Sequence, residues 1–162
     1  MHIEPKILDI KKKHLVGKSM IMSFQEDRTA ELWRSFMPER HQIHNRIDPC
    51  FYSLQVYPFL FSFSDVDPDT NFTKYTLVEV SELKHIPSSM EVFTLPEGKY
   101  AVFIHKGPAS TFMRTLTYIY ETWLPESPYV IDDRPHFERL QEGYHPEDAE
   151  AEEEVWVPIR LQ

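Results

Sequence analysis

Apolar and polar residues alternate along most of this chain, and twice the alternation gives way to helical spacing. The first alternating run is "HLVGKSMIMSF", residues 14–24, where Leu15, Met20, Met22 and Phe24 predict a strand. Asp27 then offers an N-cap, and "RTAELWRSFM" spaces Leu32, Trp33 and Phe36 as a helix does, up to a break at Pro38. "CFYSLQVYPF" returns to alternation. Tyr52, Leu54 and Val56 fall on one side, and Phe51, Ser53, Gln55 and Tyr57 on the other. "SDVDPDTNF" reads as a turn-rich loop and "KYTLVEVSEL" as the next strand.

The same order then recurs. "GKYAVFIHKG" predicts a strand between two glycines. "PASTFMRTLTYIYETWL" predicts the strongest helix, with Pro108 near its start and Phe112, Leu116, Ile119, Tyr120 and Trp123 on one stripe. "PHFERLQ" and "EVWVPIRL" read as closing strands, and "EGYHPEDAEAEEE" between them as a mobile, solvated acidic loop. Local strings support a duplication: "VGKSMIM" matches "EGKYAVF", and "SFMPER" matches "TWLPES". The expected fold class is therefore α+β, a single domain over residues 1–162. A β-α-β-β unit occurs twice, in half-repeats of about 1–86 and 87–162. The two form a pseudo-twofold antiparallel sheet or barrel, with a helix on each half and a central cleft.

Composition adds aromatic surface to this picture. The chain is 41% hydrophobic and 14% aromatic, with three Trp, eight Tyr and eleven Phe. That exceeds what its core needs and suits a ligand pocket, because Tyr and Trp pair an apolar body with a polar handle. The net charge of -9 argues against direct nucleic acid binding, which needs clustered Lys and Arg. The one basic run, Lys11 to Lys13, reads as a solvated strand edge. Cys50 is the only cysteine, so no intramolecular disulfide can form. No apolar run reaches membrane-spanning length, and "MHIEPKILDIKKK" lacks the order of a signal peptide. A soluble, cytoplasmic protein without a membrane partner is expected.

Most catalytic chemistries find no motif. His41 and His44 share a helical spacing but lack an obvious third ligand, and there is no HExxH, so no metal is expected. There is no G-x-S-x-G, and Cys50 reads as a small buried hydrophobe. Four glycines hardly supply a phosphate loop, and no cofactor is expected. Glu138 is what stands out. In "HFERL" it faces the opposite way from Phe137. Val155, Val157 and Ile159 make an apolar face suited to the helices, which turns Trp156 to the other side. If the two strands are neighbours, Glu138 and Trp156 can share a face. A carboxylate among aromatic rings suits an organic cation, and when empty its pKa should rise, which also fits a general acid or base. The alternative is a surface ion pair with Arg134 or Arg139.

Four strings, "EGKYAVFIHKG", "YIYETWLPES", "DDRPHFERL" and "EVWVPI", together resemble the GyrI-like small-molecule-binding domain, also known as the AraC-type effector-binding domain. "VGKSMIMSF", "LWRSFMPER" and "YSLQVY" extend the resemblance over the whole chain. The resemblance implies a duplicated β-α-β-β fold with ligands in the cleft between the halves. It implies that Glu138 compensates cationic, drug-like compounds and that Trp156 stands where a tyrosine is usual. Leu140 replaces another frequent tyrosine, which removes a hydroxyl. Tyr52, Tyr118, Tyr120, Trp33, Phe103 and Trp123 are further candidates for the pocket lining, each with a core role as its alternative. Many members follow a helix-turn-helix in a transcription regulator, whereas this chain begins at once with its first strand, so a stand-alone member is expected.

Three functions follow as expectations. The first is binding of a cationic or amphipathic small molecule for sensing or sequestration. The second is hydrolysis of strained electrophilic compounds, with Glu138 as base and Tyr52 or Tyr118 assisting. The third is a protein-interaction role, with gyrase or a DNA-binding regulator as partner. Its surface would be the acidic residues Glu147, Asp148, Glu150, Glu152, Glu153 and Glu154.

Overall fold

The glycine-marked strings of the two halves become equivalent strands, and the topology makes the duplication visible. The structure, a computed structural model, describes residues 3–162. Met1 and His2, part of the N-terminal stretch and half-repeat read above, lie outside them. The first half contains β1 (Lys6–Ile10), β2 (Lys13–Met22), α1 (Thr29–Phe36), β3 (Phe51–Val56) and β4 (Phe72–Glu79). The second contains β5 (Glu91–Leu95), β6 (Gly98–Lys106), α2 (Phe112–Thr117), α3 (Leu124–Glu126), β7 (Tyr129–Ile131), β8 (His136–Leu140) and β9 (Glu152–Leu161). The strands form one antiparallel sheet in the order β1-β6-β9-β8-β3-β4-β2-β5, with β7 also beside β9.

From the centre outwards, β8-β9-β6 mirrors β3-β4-β2, which places a pseudo-twofold axis between β3 and β8. Each half lends its leading strand to the other: β1 pairs with β6, and β5 with β2. These two strands are edges, so the sheet is not closed into a barrel. The sequence pattern missed β1, β5 and β7, which are short and stand mainly on partners far along the chain.

One face of the sheet is covered by side chains from both halves. Leu15, Tyr52, Leu54, Leu77, Leu95, Tyr100, Val102, Phe137 and Trp156 form one buried cluster there. No helix belongs to this cluster, so the sheet curls around it. The other face carries the helices. Ala101, Phe103, Val155, Val157 and Ile159 pack under the second helix, and Val16, Phe51 and Val78 under the first. The apolar face of β9 therefore meets a helix, as its alternation predicts.

Both helices depart from ideal spacing. The Asp27 carboxylate accepts the backbone N–H of Thr29 at 2.9 Å, and past Phe36 the chain tightens into a 3-10 turn, Met37–Gln42, with Pro38 in its first turn. In the second helix a wide π turn, Tyr118–Trp123, joins α2 to α3. The predicted stripe assumes a regular period. With the π turn, Ile119 packs on the sheet while Tyr120 reaches the cleft described below.

The acidic segment is shorter than expected, because β9 starts at Glu152. It is also pinned to the start of the second helix. Gly107 and Ala109 donate backbone hydrogen bonds to Ala151 and Pro146 at 2.8 and 2.7 Å. No described helix is long and apolar enough to cross a membrane.

Gly17, in the first of the matching strings, tests the sheet geometry. A Cβ there would run into the Thr76 carbonyl and the Leu77 Cα of β4, which are backbone atoms that cannot step aside. Gly17→Ala should lower stability by about 1–3 kcal/mol. Urea unfolding should show a lower midpoint at unchanged slope; an unchanged midpoint would refute the close approach.

Candidate functional site

The register of β8 decides where Glu138 looks. Ser53 of β3 lies beside Glu138, and Leu54 beside Phe137. On the other side Val155 pairs with Glu138, and Trp156 with Phe137. Glu138 is therefore on the helix-bearing face with Val155, while Phe137 is fully buried on the opposite face. The expected shared face for Glu138 and Trp156 does not occur. The Trp156 ring stacks on Phe137 at 5.0 Å, and its indole N–H donates to Glu154 at 3.1 Å. Trp156 still borders the cavity described next.

Between the two helical layers the sheet floors a cavity of about 560 Å³. Gln55, Phe72, Lys74, His136 and Glu138 stand on the floor. Phe112, Met113, Leu116 and Tyr120 form one wall, and Phe24, Asp27 and Thr29 form the opposite rim. The segment after β3 completes the enclosure with Tyr57, Phe61, Phe63 and Val66. Its rings make two stacked pairs, Tyr57 on Phe61 at 4.9 Å and Phe63 on Tyr120 at 5.2 Å with planes 13° apart, joined by a tilted contact of Phe61 with Tyr120 at 5.4 Å. Phe24 and Phe72, 4.9 Å apart, extend the aromatic lining towards the rim.

The charges lie at the bottom. Glu138 accepts a hydrogen bond from the Gln55 amide at 3.3 Å. It pairs with neither arginine named above: Arg134 holds Asp132 at 2.8 Å, and Arg139 holds Asp48 at 2.9 Å and Glu154 at 3.3 Å. Burial raises the Glu138 pKa above the usual carboxylate range, against the opposing pull of Lys74 and the Gln55 bond. Glu153 adds a second carboxylate. It is pushed up to about 7, first by burial and then by the Glu138 charge, with Lys74 again opposing. His136, in contact with Tyr57 and Phe61, is held neutral, because burial and then Arg134 lower its pKa to about 3. The Tyr120 hydroxyl stands 3.4 Å from His136 Nδ1, and burial keeps the phenol protonated.

Three of the sequence candidates meet at this cavity: Glu138, Tyr120 and Trp156. The other five stand elsewhere. Tyr52 lies on the far face, 2% exposed, with its hydroxyl on Glu79 at 3.3 Å. The Tyr118 hydroxyl donates to the Ile3 carbonyl at 3.3 Å. Trp33 packs edge-on against Phe51 and Phe36 under α1. Phe103 is fully buried beneath Trp123, which stacks on Tyr129.

Sequence reasoning missed Lys74, His136 and the Tyr57–Phe63 segment. A signal for the last was present: Tyr57, Phe59, Phe61 and Phe63 recur at every second position. The acidic surface also contracts. Glu153 faces the helix side with Glu138, and Glu154 is engaged by Arg139, which leaves Glu147, Asp148, Glu150 and Glu152 exposed. No group of three potential metal ligands occurs among the described residues.

Known proteins are similar to this chain in sequence or in fold. The transcriptional regulator BrlR of Pseudomonas aeruginosa is 28% identical over 148 residues, 90% of this chain, and the chain spans 51% of BrlR. Among solved structures, SAV2435 bound to tetraphenylphosphonium superposes with a TM-score of 0.74 at 16% identity, covering 97% of this chain and 94% of that one. A hydrolase encoded by lin2189 of Listeria innocua superposes at 0.62 and 11% identity, covering 97% and 92%. At these identities both likenesses are of fold alone. A family model for the GyrI-like small molecule binding domain matches residues 3–160, and the chain belongs to that family.

Proposed function

We propose that the protein binds lipophilic aromatic cations in this cleft, with Glu138 as the compensating charge. The observation that carries the reading is a carboxylate on the floor of an aromatic cavity with no ion pair to an arginine or lysine among the described residues. The charged form of such a group gains most when a cation arrives. The surrounding rings offer their negative faces to a delocalised cation and exclude water around it. SAV2435, of the same fold, was solved with a cation of this kind. The hydrolytic alternative asks for a tyrosine hydroxyl beside Glu138. Tyr52 and Tyr118 both point elsewhere, and the two tyrosines that do line the cleft, Tyr57 and Tyr120, are kept protonated by burial. Holding a ligand therefore suits the site better than activating water.

Titration with tetraphenylphosphonium tests this. Glu138→Gln keeps the shape and the Gln55 contact while removing the charge, and should weaken binding about 10- to 1,000-fold, or about 1.4–4 kcal/mol. Retained affinity in that variant would sink the role given to the carboxylate.

The pH dependence has a defined sign. Glu138 and Glu153 both have raised pKa values in the folded, empty protein, Glu153 at about 7. A permanent cation favours their ionised forms, so binding releases protons. Affinity should climb between about pH 5 and pH 8 and then level off. Calorimetry in buffers of different ionisation enthalpy would report the released protons, and a flat or falling profile contradicts the assignment. The same linkage makes the empty protein lose stability as pH rises through this window, because there the folded state holds more protons than the unfolded chain.

A further inference from the structure

Lys74 is the one lysine or arginine among the residues lining the cleft. It stands on β4 between Gln55 of β3 and Met20 of β2, one strand away from the row that holds His136. Among the described residues it closes no ion pair within 4.0 Å. Yet its charge acts on three carboxylates: Glu138 on the floor, Asp27 at the rim, and Glu153, which lies on the helix-bearing face outside the cavity lining.

A cleft built for a cation thus already contains one. Lys74 and Glu138 line the same cavity, and the ammonium draws the Glu138 pKa down against burial. An entering cation needs the same carboxylate and meets a like charge. The lysine stem is long and flexible, so the ammonium can move without disturbing β4. Asp27 is an anionic station for it. Burial works against that carboxylate's charge, but hydrogen bonds from the Thr29 hydroxyl and backbone N–H hold its pKa below the ordinary range.

We propose that Lys74 is a tethered stand-in cation, which neutralises the floor of the empty cleft and is displaced towards Asp27 when an organic cation enters. Displacement sets a threshold. A cation that fills the aromatic cavity overcomes the lysine, whereas a small hydrated cation does not. Lys74 is then a specificity-determining residue, and the inference rests on the cation-binding reading above.

The test is a double-mutant cycle read by titration with tetraphenylphosphonium and with tetramethylammonium. Lys74→Met keeps an unbranched apolar stem and removes the charge. It should tighten tetraphenylphosphonium binding about tenfold and narrow the preference over tetramethylammonium. Asp27→Asn keeps an oxygen acceptor for Thr29 and should weaken binding in the wild-type background, with no effect in the Lys74→Met background. Lys74→Gln serves as the second variant should the methionine form not fold. If the wild type binds and neither Lys74 variant tightens binding, or if the two positions act additively, the lysine's role is overturned while the cation-binding reading stands. If neither the wild type nor the variants bind, both fall.

Discussion

The seam between the two halves, where β3 and β8 run side by side, is the constraint on which the rest depends. A register of Leu54 beside Phe137 and Ser53 beside Glu138 makes two commitments at once. It buries Phe137 with Tyr52, Tyr100 and Trp156 on the curled face, and it turns Glu138 to the helical face. Side chains alternate strictly along a strand, so a slip of one residue would exchange these environments. Phe137 would then enter the cleft, and an uncompensated carboxylate would enter the apolar cluster at a cost of several kcal/mol. Core packing thus enforces the orientation of Glu138, and the seam that does so takes one strand from each half.

The duplication explains why the cleft has walls of different character. The floor comes from both halves and is tied by the backbone ladder, so it is stiff. The walls are the second helix, the turn leading into α1 and the segment after β3. Where the second helix passes the cleft it contains a π turn, and there it presents Tyr120 to Phe61 and Phe63. Rings stacked on rings hold shape through contact area more than through directional bonds, so they can re-pack around ligands of different outline. In the proposed reading, a fixed charge below adaptable aromatic walls selects for charge and lipophilicity rather than for one exact shape.

Most of this fold was legible because its signals are local. The alternation in "CFYSLQVY" sorted the strand's two faces correctly, and the paired strings revealed the repeat. Glu138 drew attention because it faces away from Phe137, but the strand alone favoured a surface ion pair, and it was the family resemblance that pointed to a cleft. What the sequence concealed was which face is the cleft. That depends on how β3 meets β8, and the two are separated by the entire length of β4, β5, β6 and the second helix. Tyr52 was accordingly preferred over Gln55 and Tyr57, although the alternation had already placed those two on the other side. The helical tyrosines and tryptophans posed a related difficulty. Tyr118, Tyr120 and Trp123 differ by only a few positions, and a π turn, which no periodicity announces, decides which of them leaves the core.

Glu153 shows how far the same ambiguity extends into electrostatics. In sequence it belongs to a run of acidic residues, and a charge run ordinarily marks a solvated surface. Because β9 begins at Glu152, the run is divided by strand alternation. Glu154 turns to Arg139 and the Trp156 indole, whereas Glu153 turns to the side of Glu138 and Lys74. Adjacent residues of one type thereby serve opposite purposes, one in a surface ion-pair network and one in the charge balance of the cleft. Two half-buried carboxylates with a single lysine on the same face of the sheet leave the empty site short of positive charge. Proton uptake by Glu153 near neutrality relieves the deficit in part, and an incoming cation can relieve the rest. In the proposed reading the demand for a cation therefore arises from the charge balance of this whole face, with Glu138 as its centre.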